Sequence, residues 1–371
     1  MSSSFSTNPT HIMVTVIWIF AMVCQAKSFA VFGYLPEWRY HALSFESVSR
    51  HVTHIIFFSL EMNPMTGRIK SMDRFPSEEI LAKAKADNNG AKFYICFGGN
   101  GRSDGFKLVH RKEARHNFVK GLLSLVQKHN LDGVDYNWEY PGYSFRNGYA
   151  DADTVHKDYL GLFNLVKESR EAFDKHAQAQ RKQKRLGISL AYYPDSRQEK
   201  LLLKYGIQKY VDYMHMMTYD QHGQQHSSYD FAVRSISQGI ELGLPPSKLT
   251  LGLPFYGRDS HGQWTTYEEI LNKHYDLIGG RDGNFNVDNV DGIGFNSFET
   301  IKKKTEYAIQ KGIGGVMIWE IGQDCRMKAV EELNGNTHAE TCRGKALSAS
   351  LHVAISKARP HSLLPSFSEE L

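Results

Sequence analysis

Cysteine is scarce in this chain, with four in 371 residues. No pair or cluster has the spacing of zinc ligands, so a zinc module is excluded. One-sided charge is also missing. The 44 Lys and Arg against 40 Asp and Glu leave a net charge of +4, spread along the chain. Nucleic acid is therefore not an expected partner. The densest basic run, Arg181-Lys182-Gln183-Lys184-Arg185, reads as a solvated connection between a helix and a strand. An Asn-x-Ser/Thr sequon is absent, so N-glycosylation is not expected. There is no internal repeat. The apolar run at residues 12–23 is too short to span a bilayer comfortably. It fits the core of a signal peptide, with cleavage after Ala26, although no Lys or Arg precedes it. A start at Met13 would put the free amine beside the run. An uncleaved anchor or a non-functional leader is the alternative. The expectation is a secreted monomer with no stable membrane association once the leader is gone.

Three cysteines remain after cleavage. Cys96 lies in an apolar strand and reads as a buried thiol. Cys325 and Cys342 flank a polar loop and could close it as a disulfide in an oxidising compartment.

What the chain does have is an alternation of apolar strands and amphipathic helices. The strands fall at 30–35, 53–60, 92–98, 133–139, 187–193, 211–218, 249–255 and 314–319. Several are nearly continuously apolar, as strands buried on both faces are. Helical patterns lie at 77–87, 112–129, 154–176, 229–241, 298–311 and 346–358. This α/β order predicts a parallel (β/α)8 TIM barrel. The expected division is a leader at 1–26, a barrel domain at 27–358 and a polar tail at 359–371.

One stretch departs from the apolar rule. From Leu131 to Pro141, strand period puts Asp135, Asn137 and Glu139 on one face and Val134, Tyr136 and Trp138 on the other. A packed core does not accept two carboxylates and a carboxamide unpaired. A solvated face of an antiparallel sheet would alternate in this way, but the neighbouring strands do not. Pro141 ends the ladder, so Glu139 belongs near the strand's C-terminal end.

In such a barrel the active site lies at the C-terminal ends of the strands. There the chain places Tyr34 and Trp38, Gly98 and Gly99, Met217, Tyr219 and Asp220, Tyr256 and Arg258, and Trp319. Phe58, near the end of the second strand, joins them. Flat aromatic faces suit sugar C–H faces, and the polar tips suit hydroxyls.

These residues resemble glycoside hydrolase family 18, the chitinase family, whose catalytic strand reads Asp-x-x-Asp-x-Asp-x-Glu. Asp132, Asp135 and Glu139 match, and Asn137 stands where the family has Asp. Cys96-Phe97-Gly98-Gly99 is similar to the family's Ser-x-Gly-Gly turn, with Cys for Ser. Met217-Thr218-Tyr219-Asp220 matches Met-x-Tyr-Asp. Trp319 matches the tryptophan under the cleaved sugar, and Tyr256 and Arg258 match cleft residues. The similarity runs from about residue 30 to 358. Many chitinases insert a larger α+β subdomain after strand seven. Here only residues 259–297 are available, which implies a short insertion and a shallower cleft.

The resemblance implies hydrolysis of β-1,4-linked N-acetylglucosamine polymers or oligomers, without metal or cofactor. Glu139 would be the acid. The nucleophile would be the substrate's own 2-acetamido oxygen, a known exception among retaining glycosidases. Tyr219 would hold that oxygen, the residue at 137 would accept the acetamido N–H, and Asp135 would tune the charge from below. Asn137 can accept the N–H but brings no negative charge. Two other functions stay open: a chitin-binding lectin without turnover, and an endo-acting hydrolase on N-glycans. The retained Glu139 favours an enzyme.

Overall fold

A computed structural model describes residues 28–41, 44–179, 185–223, 225–278, 286–325, 342 and 345–358. The expected leader at 1–26, all of the basic run except Arg185, and the tail from 359 lie outside the described residues.

Eight strands form a closed parallel barrel. They are β1 Ala30–Pro36, β2 His54–Leu60, β3 Lys92–Gly98 and β4 Gly133–Asn137. They continue as β5 Gly187–Tyr192, β6 Tyr213–Met216, β7 Leu249–Pro254 and β8 Gly315–Trp319. Each pairs with its neighbour in sequence, and β8 closes on β1 through Ala30 opposite Gly315. The expected (β/α)8 barrel is the observed fold. Two apolar layers explain why the strands read as continuously hydrophobic. One fills the barrel with Phe32, Tyr34, Ile56, Tyr94, Tyr213 and Met317. The other lies outside, where Val134, Tyr136 and Trp138 pack beneath the helices. A barrel interior is a packed core, and bulky side chains are needed to fill it.

The helices are α1 Phe45–Ser49, α2 Glu78–Ala86, α3 Lys112–Lys128, α4 Ala152–Ala179 and α5 Ser196–Tyr205. They are followed by α6 Tyr229–Leu242, α7 Tyr267–Ile278, α8 Phe298–Gln310 and α9 Leu347–Ala358. Apolar periodicity did not reveal α1, α5 or α7. The inward face of α5 is Gln198, Glu199 and Leu202, too polar to show a stripe. Its ends are nonetheless marked. Asp195 accepts from Arg197 N and Gln198 N, both at 2.9 Å, and Gly206 closes the helix at φ 74°.

After β7 the chain builds a small α+β unit. The Tyr256–Arg258 segment pairs antiparallel with Trp264–Thr266 and with Ile293–Gly294, which pairs in turn with Asn289–Val290. Helix α7 lies within this unit.

Cys325 and Cys342 form a disulfide with Cα atoms 5.4 Å apart, and Cys96 is a buried free thiol. The bond closes a loop of 17 residues in sequence separation. Loop-closure entropy gives about 3 kcal/mol for a loop of this size. The double replacement Cys325→Ser/Cys342→Ser should therefore lower unfolding free energy by about 3 kcal/mol in urea titrations. Equal midpoints and slopes for both proteins would show that the bond does not stabilise the fold. None of the described helices is long and apolar enough to cross a membrane.

Candidate active site

The polar face of β4 points into the barrel, as its period requires. Asp135 is fully buried. Its Oδ2 accepts from Tyr34 Oη at 2.7 Å, across the barrel, and its Oδ1 accepts from Ser189 Oγ at 2.6 Å. His215 Nε2 lies 3.7 Å from Oδ1. Burial pushes the Asp135 carboxyl up, and the hydrogen bonds from Ser189 and Tyr34 pull it back. His215 Nδ1 is 2.6 Å from Thr250 Oγ1. Burial pushes this imidazole down to about 3, so it is neutral at ordinary pH.

Asn137 ends β4. Its side-chain oxygen is buried and makes no hydrogen bond. Its amide hydrogen-bonds the Glu139 carboxylate, so Nδ2 is the donor and Oδ1 is the open acceptor. Glu139 lies two residues past the strand, not within it as the 133–139 reading had it. Pairing with β5 reaches only Tyr136 opposite Leu190. Burial pushes Glu139 up to about 7. The Asn137 hydrogen bond opposes this, and the charge of Asp220 adds to it.

Beside this centre, β3 ends in a turn that only glycine can make. Gly98 has φ 102° and Gly99 φ 104°. A Cβ on Gly98 would strike the Asn137 carbonyl oxygen, and one on Gly99 would strike the Phe58 ring. The close approach lets Gly99 N donate to Asn137 O at 2.7 Å. Ser103 Oγ accepts from Glu139 N at 3.1 Å and donates to Gly99 O at 3.0 Å.

The Trp319 ring lies 4.7 Å from Phe58 and 5.5 Å from Tyr34, centroid to centroid. Asp220, at φ 61°, accepts from Tyr256 Oη at 2.7 Å and Arg258 Nη1 at 3.0 Å. Tyr219 packs against Tyr256, with its hydroxyl 3.7 Å from Met317 Sδ. Met217 is buried in the barrel interior. All the expected site residues thus gather at one end of the barrel, apart from Asp132. Asp132 accepts from Phe93 N at 2.8 Å, before β4 begins.

The aromatics expected to offer their faces to sugar differ in exposure. Trp38 is 54% exposed, but Tyr34, Tyr219 and Tyr256 are each 6% exposed or less. The rings of Tyr34 and Tyr219 fill the barrel, and Tyr34 and Tyr256 spend their hydroxyls on Asp135 and Asp220. Several site residues carried no motif. Arg102 chelates Glu37 at 2.6 and 3.2 Å. It also lies 5.7 Å from the Trp38 ring and 5.5 Å from that of Phe58, bracing both. Ser189 and His215 could have been found as lone polar residues in otherwise apolar strands. Among the described residues, no group of three or more His, Cys, Asp or Glu could hold a metal ion.

The arrangement pairs an elevated carboxyl acid with an adjacent amide acceptor, above a buried, hydrogen-bonded carboxyl. Probable chitinase 2 of Drosophila melanogaster is 27% identical over 384 aligned positions, covering 86% of this chain and 73% of that protein. Chitinase A1 of Niallia circulans is 28% identical over 304 positions, covering 66% of this chain but 42% of that longer protein. The GH18 chitinase ChiB of Flavobacterium johnsoniae superposes with a TM-score of 0.66 at 23% identity, covering 90% of this chain and 96% of its own. The GH18 chitinase of Cycas revoluta in complex with (GlcNAc)3 has a TM-score of 0.66 at 22% identity, covering 89% and 99%. The profile of Glycosyl hydrolases family 18 matches residues 30–324, and the chain belongs to that family.

Proposed function

We propose that this protein is a secreted, monomeric chitinase-type hydrolase that cleaves β-1,4-linked N-acetylglucosamine chains by substrate-assisted, retaining catalysis. The observation that carries this reading is the pairing at the end of β4. The Glu139 carboxyl is raised to about 7, and beside it Asn137 Oδ1 is buried and unbonded. A proton donor and an acceptor for an acetamido N–H are thus side by side. Both the fly and Niallia relatives are named chitinases, and the Cycas structure holds (GlcNAc)3.

In this mechanism Glu139 protonates the leaving glycosidic oxygen. The acetamido oxygen of the same sugar attacks the anomeric carbon and forms an oxazolinium ion. Tyr219 Oη orients that oxygen, and Asn137 Oδ1 accepts the N–H. Trp319 and Phe58 support the sugar from below. Water then opens the oxazolinium ion, with Glu139 acting as base. Asp135, two residues away on the same face, would stabilise the cation at longer range in its ionised form.

The acid must hold its proton. Above its pKa the protonated fraction falls tenfold per pH unit. For wild type, kcat/KM on chitotetraose should therefore decline as pH rises through about 7, with a limiting slope of about −1. A profile flat from pH 6 to 9 would remove Glu139 from the acid role. A lectin without turnover is the second reading, favoured by the missing charge at Asn137. Binding of chitotetraose with no products would establish it.

A further inference from the structure

Lys304 lies on α8 and is completely buried. Its ammonium makes three hydrogen bonds, all to neutral oxygens. Nζ donates to Ser227 O at 2.7 Å, to Ser227 Oγ at 2.8 Å and to Asn296 Oδ1 at 2.7 Å. A buried ammonium held only by neutral acceptors is costly, because no opposite charge touches it to offset its lost hydration. The bonds lead toward the candidate active site. Ser227 Oγ donates to Thr218 O at 2.7 Å, the carbonyl of the peptide that precedes Tyr219. Asn296 Nδ2 donates back to Ser227 O at 2.8 Å. Next to Ser227, His226 Nδ1 accepts from Asp220 N at 3.3 Å, and its Nε2 lies 3.2 Å from Tyr256 O. Lys304 therefore stands two hydrogen bonds from the backbone of Tyr219 and one residue from the His226 contact to Asp220.

We propose that Lys304 is a positioning residue, fixing Ser227 and through it the peptide that presents Tyr219 and Asp220 to the sugar. This rests on the functional reading above. The ammonium has three N–H groups for three acceptor contacts. The neutral amine has two, and its lone pair would face an oxygen. The charged form is the one that holds the network closed. Burial pushes Lys304 down to about 7, with Asp288 pulling the other way. Next to Ser227, His226 is pushed down to about 4 by burial, with Asp220 pulling the other way, and stays neutral across this window. The Asp288 carboxylate is occupied by Ser297 N at 2.7 Å and Thr300 Oγ1 at 2.6 Å. Sugar affinity should consequently fall as pH rises through about 7.

Glu139 titrates in the same range, so the test removes it. Binding of chitotetraose to Glu139→Gln is measured by calorimetry at pH 6 and pH 8.5. The expected result is a Kd about fivefold or more weaker at pH 8.5, the loss of one buried hydrogen bond. Lys304→Met in the same background should bind weakly at both pH values. Ser227→Ala should do the same while leaving the lysine in place, and it carries the test should Lys304→Met fail to fold. Groups titrating elsewhere, such as buried Glu199, are common to all three proteins and cancel. Tight binding at pH 6 with an unchanged pH dependence in either folded variant would overturn the role of Lys304. Glu139→Gln that does not bind at all would overturn the functional reading, and this inference with it.

Discussion

Replacing Glu139 by Gln is expected to lower kcat on chitotetraose by about two to four orders of magnitude, the usual contribution of a positioned acid. Gln has nearly the same shape, and its side-chain oxygen can keep the hydrogen bond from Asn137 Nδ2. It has no acidic proton to give the leaving oxygen. The carboxyl also sits where Asp220 raises its proton affinity, and that interaction disappears with the charge. KM should change little, because the walls around Phe58, Trp38 and Trp319 do not contain residue 139. The measurement is steady-state hydrolysis, with oligosaccharide binding as the control for folding. Undiminished kcat in the variant would mean that another group protonates the leaving oxygen.

The second large effect has the opposite sign. Asn137→Asp should raise kcat, by about two to three orders of magnitude if the full benefit of a preorganised charge beside a developing cation is recovered. The change is close to isosteric, and the backbone of residue 137 is held by β3, where Gly98 stands opposite Asn137. The new carboxylate would act on the oxazolinium-like transition state more than on the ground state, which raises kcat rather than lowering KM. It would also remove the Nδ2 donor from Glu139 and set a like charge beside it. Both changes push the Glu139 pKa further up from about 7. The alkaline limb of the rate profile should therefore move to higher pH. An active wild type whose kcat is unchanged or lowered by Asn137→Asp would make the amide a working part of the site.

The sequence showed the barrel and its reactive strand because both are written in short-range patterns. Apolar runs marked most of the strands, and the period-two split at 131–141 marked the fourth and put Asp135, Asn137 and Glu139 on its inner face. Period gives face but not depth, however. It could not tell that Tyr34 lies buried against Asp135 while Trp38, four residues on, stands open. Lys304 is one of three successive lysines, Lys302-Lys303-Lys304, and nothing in the run itself distinguishes it. Only the register of α8, which buries Ile301, Lys304 and Thr305, sets one lysine apart. Helix α5 escaped notice because it buries polar residues. Helix α1 is five residues long, too short for a periodic signal. Helix α7 is bent at His274, which breaks the phase of its stripe.

The central claim is that this site cleaves N-acetylglucosamine chains with the substrate's own acetamido group as nucleophile. Its most direct test is the hydrolysis of chitotetraose by the purified protein, followed by proton NMR from the first minutes. Two displacements at the anomeric carbon should release new reducing ends first as the β-anomer, with the α-anomer appearing only by later mutarotation. Initial release of the α-anomer, or binding without any cleavage, would contradict the claim.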